Sequence, residues 1–184
     1  MPRDDVLFGP KPVFVRWTRD AAREAPGILR AMEAFEPVDL PAARACAEWL
    51  RTRALAEPAE SATRLLLQHG ALLGFYALAN GHAELARGDR KRLGLHFVTQ
   101  PAVILTQIAR AAAAPEAGGL LMLHAVGTAR RAAQLSAATV FALDPHDEAT
   151  AAMWREKYGF RESERPAPGR PEALKRLWVP LTTT

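Results

Sequence analysis

Residues 101–123 read PAVILTQIARAAAAPEAGGLLML: an apolar run, a small-residue segment, then a second apolar run. A strand opening through small residues into a helix suits a phosphate-bearing ligand, because N–H groups and the dipole at a helix N-terminus both favour an anion. Gly118 and Gly119 permit the close backbone approach such a ligand needs. Glu116 sets a negative charge beside that position, while Arg110, just before the loop, offers a compensating cation, as Arg130 and Arg131 could from elsewhere. The glycine pair also serves if it merely lets a helix begin close to a strand, so both readings stand.

Further residues could handle protons. His82 and Glu84 in NGHAEL are of the types used as general bases, and are equally ordinary on an exposed strand. His69, His96 and His146 have no metal-ligand spacing with one another, and His124, within an apolar helix segment, reads as a packed core histidine. No Ser-His-Asp order and no Walker-type loop is visible. Cys46 is the sole cysteine, which excludes an internal disulfide and a cysteine metal cluster. It falls in an amphipathic helical stretch, where a buried structural thiol is expected.

The elements that must position these residues follow from the apolar pattern. KPVFVRWT (11–18) predicts a first strand, and RDAAREAPGILRAMEAF a helical region interrupted at Pro26-Gly27. Asp39 is expected to cap a helix with Pro41 in its first turn, running to Ala54. Residues 57–61 form a loop. Two strands flank a His69-Gly70 turn, and Asn80-Gly81 predicts a second reversal, giving an antiparallel meander. ARGDRKRLG (86–94) reads as a polar, basic excursion, and AVILTQIA as a strand buried on both faces. A helix is expected from Gly118 to Leu135, with Leu120, Leu123, Gly127 and Arg131 along one row. ATVFALD (138–144) is a further buried strand, and HDEATAAMWREKYG a helix that starts acidic and stops at Gly159. ERPAPGRPEA (164–173) reads as a loop, and PEALKRLWVPL as a closing edge strand that tolerates Pro180.

With 184 residues, 49% of them apolar, the chain suits one α/β or α+β domain with a mixed sheet over residues 1–184. The N-terminal strand and helices occupy 11–56 and a core 62–180. Net charge is +4. Two basic groups, Arg87, Arg90, Lys91 and Arg92, then Arg161, Arg165, Arg170, Lys175 and Arg176, could meet RNA phosphates with steep salt dependence. The interspersed Asp89, Glu162, Glu164 and Glu172 read equally as part of a solvated face. The charged N-terminus lacks the apolar core of a signal peptide, and the longest apolar run is far short of the ~20 residues of a membrane helix, so a cytoplasmic location and no membrane partner are expected.

Taken in order, residues 62–180 resemble the GNAT N-acetyltransferase superfamily. GFYALANGHAEL, PAVILTQIA and FALDPHDEATAAMWREKYGF look most like the branch of tRNA-acetylating toxins, and Ala151, Trp154 and Gly159-Phe160 stand at the family spacing. The resemblance implies a mostly antiparallel sheet with one splayed parallel strand pair, flanked by helices. Acetyl-CoA would lie between strands 102–109 and 138–143, with Ile108, Ala109, Arg110, Ala117, Gly118, Gly119, Leu120 and Trp154 as its contacts. A primary amine, such as that of aminoacyl-tRNA, would attack the thioester directly, with no metal. The partners implied are tRNA, an antitoxin and a second copy of the chain.

Two departures are visible. The family loop carries Gln or Arg, a glycine three residues on, and glycine or alanine two further. The frames Ala113, Glu116, Gly118; Ala114, Ala117, Gly119; and Pro115, Gly118, Leu120 each satisfy one position. The family's Phe-Tyr pair before Gly-Phe corresponds to Trp154-Arg155, and a guanidinium stabilises an anion without donating a proton. Tyr158, one helical turn on, is the remaining candidate catalytic hydroxyl, and also reads as a packing residue. The same departures fit a catalytically degenerate domain acting as a binding or partner module, including one that still binds an antitoxin.

Overall fold

The computed structural model describes residues 9–166 and 174–181. Along the chain come β1 (Val13–Trp17), α1 (Arg19–Glu24), α2 (Pro26–Glu33), α3 (Pro41–Thr52), β2 (Ala62–Gln68), β3 (Ala71–Glu84) and α4 (Arg87–Leu93). β4 (Thr99–Arg110), α5 (Ala117–Ser136), β5 (Val140–Leu143), α6 (Glu148–Tyr158), β6 (Arg161–Pro166) and β7 (Lys175–Pro180) complete it. The strands form a seven-stranded sheet in the order β1-β2-β3-β4-β5-β7-β6. β4 and β5 run parallel, while the β1–β2, β2–β3, β5–β7 and β6–β7 ladders are antiparallel. This is the mixed α/β architecture the pattern predicts. Among the described residues no helix is long and apolar enough to cross a membrane.

The described residues form two compact units: 9–78 with Gln107–Ala125, and Ala79–Thr106 with 126–166 and 174–181. In the first, alternation along β1 and β2 puts Val15, Trp17, Leu65 and Leu67 into one core with Ile28, Met32, Phe35 and Leu50 of the helical region. On the alternate positions, the Phe14 ring stacks on His124 at 3.7 Å, and the Tyr76 hydroxyl lies 2.7 Å from His124 Nδ1. His124 is thus the packed histidine expected. His69 and Gly70 take φ of 50° and 77°, the left-handed pair of a tight two-residue hairpin. Thr18 caps α1 by accepting from the Ala21 N–H at 3.2 Å, and Pro26 opens α2 where its missing N–H costs no helical bond.

Asp39 does not cap α3. The cap position is Leu40, with no side-chain hydrogen bond, and the Asp39 carboxylate pairs instead with Arg44. Gly74 of β3 is required by packing: a Cβ there would lie 2.7 Å from the Ala109 carbonyl oxygen and 2.8 Å from Leu121 Cδ1.

In the second unit Asn80-Gly81 is not a reversal. β3 runs on through it to Glu84, and Gly81 is there because a Cβ would sit 2.7 Å from Ile104 Cγ1. The basic excursion is helical: α4 covers Arg87–Leu93 and ends at Gly94 in the left-handed conformation, φ 67°. β5 is buried along its whole length. α6 is capped by Asp147, whose side chain accepts from the Thr150 N–H at 2.7 Å, and is stopped by Gly159, φ 69°, whose N–H bonds back to the Arg155 carbonyl at 3.0 Å. β7 is not the edge strand. It lies between β5 and β6, and its Pro180 is tolerated as the last strand residue, opposite Val140. The edge is β6, whose residues 164–166 fall in the segment expected to be a loop; its only buried residue is Ser163. The remainder of the expected loop, 167–173, lies outside the described residues.

Candidate active site

β4 pairs with β5 over Ala102–Leu105 only, opposite Val140–Leu143, and then continues to Arg110 while β5 ends at Leu143. The last residues of β4 therefore have no register partner on β5, which is the shortened parallel pairing expected of splayed strands. Ala109 is buried, and Ile108 and Arg110 are half-buried.

The segment after β4 starts α5 at Ala117. Ala117 is fully buried and its N–H reaches the Ala114 carbonyl at 3.1 Å. Packing does not demand the glycines that follow it. A Cβ on Gly119 would meet nothing within 4 Å, and one on Gly118 would meet only Arg110 Cδ, at an ordinary 3.6 Å. The two residues thus leave a helix N-terminus uncovered where the first N–H groups have no intrahelical acceptor. No acidic residue stands in the first turn, though Glu116 is exposed just before it. The Arg110 stem lies against Gly118, and its Nη1 donates to the Ala111 carbonyl at 3.0 Å. The start of α5 is therefore built of small residues with the Arg110 side chain alongside it.

Leu120 is 40% exposed and Leu123 75%, so the row through Leu120, Leu123 and Arg131 faces outward, while Leu121, Met122, Ala125 and Ala129 are buried.

On α6, Ala151 and Trp154 are buried, and the Trp154 ring meets Phe160 edge-on at 5.6 Å; Phe160 in turn lies 6.2 Å from Phe141. The residues at family spacing thus act first as packing. Tyr158 is half-buried, its ring 5.0 Å from Trp154 and 5.3 Å from Lys157 Nζ. Arg155, at the place of the family tyrosine, is held between two carboxylates: Nη1 bonds Glu162 at 2.7 Å and Nη2 bonds Glu148. The hydrogen bond to Glu148, then the charges of both glutamates, raise its pKa further. It is a cation already engaged, not a spare one. Sequence reading missed this triad, although the two-turn spacing of Glu148 and Arg155 was available as a signal.

His82 is exposed, and its carbonyl accepts from Arg176 at 2.5 Å. Arg176 also grips Asp144 with two bonds of 2.6 Å. Glu84 pairs with Arg165 at 2.8 Å, Arg161 with Asp89 at 3.0 Å, and Lys175 with Glu162 at 3.9 Å. Apart from Arg170, outside the described residues, the second basic group is committed to internal ion pairs.

A mostly antiparallel sheet with this one parallel pair, and a helix after each of its two strands, is the GNAT-like fold. AtaT in complex with acetyl-methionyl-tRNAfMet has it, with a TM-score of 0.69 and 17% identity over 92% of this chain and 95% of that one. A tyrosine-to-phenylalanine variant of KacT matches with a TM-score of 0.68 and 14% identity over 93% of this chain and 95% of that one. A variant AtaT toxin bound to the C-terminus of the antitoxin AtaR and to acetyl-CoA gives a TM-score of 0.60 at 15% identity, over 93% and 94% of the two chains. No family model matches the sequence, and no curated protein matches it.

Proposed function

We propose that this chain is an acetyl-CoA-dependent N-acetyltransferase whose acceptor is a primary amine, and within that class the amino group of an aminoacyl-tRNA. The observation that supports it most is the likeness over 92% of the chain to AtaT carrying acetyl-methionyl-tRNAfMet, together with a glycine pair that packing leaves uncovered. On this reading Ile108, Ala109 and Arg110 line the pantetheine and pyrophosphate, Ala117, Gly118, Gly119 and Leu120 offer backbone to the phosphates, and Trp154 flanks the cofactor. Acetyl-CoA supplies the thioester. The amine nitrogen bonds to the acetyl carbon, the C–S bond breaks, the amine proton passes to solvent, and the thiolate is protonated by Tyr158 or water. The reading carries with it a cytoplasmic location, a partner antitoxin and a second copy of the chain.

Calorimetric titration with acetyl-CoA and with coenzyme A tests the cofactor, and bulky replacements of Gly118 and Gly119 test its place. Acetyl-CoA at 100 times its dissociation constant should add about 2.7 kcal/mol of apparent stability. Binding that vanishes in Gly118→Phe and Gly119→Phe supports the reading; no binding by the wild-type protein at millimolar ligand sinks it. The engagement of Arg155 by Glu148 and Glu162 favours a second reading, in which the domain binds a partner without turnover. That reading predicts no acetylation of any amine or aminoacyl-tRNA.

A further inference from the structure

Phe97 is 78% exposed in the segment between α4 and β4, yet its backbone is tied down. Gln100, itself 3% exposed, donates Nε2 to the Phe97 carbonyl at 2.5 Å, and its Oε1 accepts from the Thr139 hydroxyl at 3.2 Å. On the other side Arg90 donates to the Leu85 and His96 carbonyls at 3.1 and 3.3 Å, and the Leu85 N–H bonds the Val98 carbonyl at 3.0 Å. A phenylalanine on a loose segment would fold inward to escape water. This one is exposed on a backbone that a hydrogen-bonded frame fixes.

Its surroundings are cationic. Residues 84–98 carry four basic and two acidic side chains. Both acids are taken: Glu84 by Arg165 at 2.8 Å, and Asp89 by Arg161 at 3.0 Å and by Arg92. Arg87 and Lys91 are exposed, one helical turn apart on the same side of α4, with no ion pair among the described residues. A protein interface would favour an apolar centre depleted of charge. Here Phe97 and Val98, the latter 42% exposed, are the exposed large apolar side chains of a segment with four basic residues, and Arg90 of α4 reaches the His96 carbonyl next to Phe97. That is the combination that grips unpaired nucleotides, with the ring under a base and cations on the backbone.

We propose that Phe97 is a stacking platform for an unpaired base at the single-stranded end of an RNA, with Arg87 and Lys91 on the flanking phosphates. This rests on the aminoacyl-tRNA reading of the acceptor, whose amino acid is carried on such an end.

The test is fluorescence anisotropy with bulk deacylated tRNA and with a labelled single-stranded RNA dodecamer, titrated over salt. Phe97→Leu keeps an apolar side chain and removes the π-face, so it should weaken both probes by roughly 5- to 100-fold, with Phe97→Tyr near wild type. Arg87→Gln and Lys91→Gln should each lower the slope of log K against log salt by about 1, or somewhat less on the single-stranded probe. Unchanged affinity of Phe97→Leu overturns the proposal. So does loss of a dimer in Phe97→Asp by light scattering without loss of RNA affinity, which would make the face a protein interface. Acetyl-CoA binding without Phe97-dependent RNA binding sinks this inference alone. Phe97-dependent RNA binding without acetyl-CoA binding upholds it and sinks the transferase.

Discussion

The Tyr76 hydroxyl lies 2.7 Å from His124 Nδ1, and the Phe14 ring stacks on the same imidazole at 3.7 Å. Tyr76 is fully buried on β3, and His124 is half-buried on α5. A side-chain hydrogen bond of this kind contributes about 1 kcal/mol net. Tyr76→Phe keeps the ring and removes the bond, so the melting temperature should fall by about 2–4 °C. An unchanged value would mean that the contact contributes nothing to stability.

Trp17 and Thr63 face each other across the β1–β2 ladder, and the indole Nε1 and the threonine hydroxyl are both buried with no hydrogen-bond partner among the described residues. An orphaned buried hydroxyl costs about 1–3 kcal/mol by mutational measures. Thr63→Val replaces it with a methyl group of the same shape, and should raise stability to urea by about 1 kcal/mol. A fall of that size would place an acceptor or donor on the hydroxyl.

The Asp147 cap makes α6 sensitive to acid. Its hydrogen bonds to Thr150, chiefly, hold the carboxyl below its ordinary pKa of 3.8. A lowered folded-state pKa means stabilisation that is fully present above the unfolded value and lost as pH falls through the folded one. Asp147→Ala should therefore cost about 1 kcal/mol at pH 7, and the gap to wild type should close as pH falls from about 4. Asp147→Asn, which caps without titrating, should remain close to wild type at pH 7 and show no such narrowing. Urea titrations at pH 7, 4 and 3 check the three together.

Periodicity made much of this fold legible. An apolar run between a proline and a polar turn marks β1, His69-Gly70 marks the β2–β3 hairpin, and an acidic start with a Gly159 stop bounds α6, because in each case local chemistry and tertiary role agree. Asn80-Gly81 misled because a glycine needed for close approach to Ile104 has the same signature as one needed for a turn. β6 went unseen because an edge strand with one buried residue carries no apolar signal. Asp39 has the type and place of a cap, yet Arg44 claims its carboxylate, an ion pair no local rule reports. Sequence chemistry singles out Gly118, Gly119 and Arg110, and the structure places the Arg110 stem against Gly118 at the start of α5. The engagement of Arg155 depends on Glu162, beyond the helix end, and the backbone frame at Phe97 depends on Gln100, itself bonded to Thr139, which only the folded chain brings to it.

Gly74 and Gly119 separate what the fold needs from what a ligand would need. At Gly74 a methyl group would press on the Ala109 carbonyl at 2.7 Å and on Leu121 at 2.8 Å, and the carbonyl belongs to backbone that cannot swing aside. Overpacking of this kind costs about 1–3 kcal/mol, so Gly74→Ala should lower the melting temperature clearly whether or not acetyl-CoA is present. At Gly119 a methyl group meets nothing within 4 Å, and alanine is the better helix former by up to about 1 kcal/mol, so Gly119→Ala should leave the apoprotein as stable or slightly more so. If the phosphates of acetyl-CoA approach that backbone, the same variant loses cofactor affinity while gaining stability, and the thermal shift produced by acetyl-CoA shrinks. Equal thermal shifts in Gly119→Ala and wild type would mean that the glycine only starts a helix, and that any cofactor is held elsewhere.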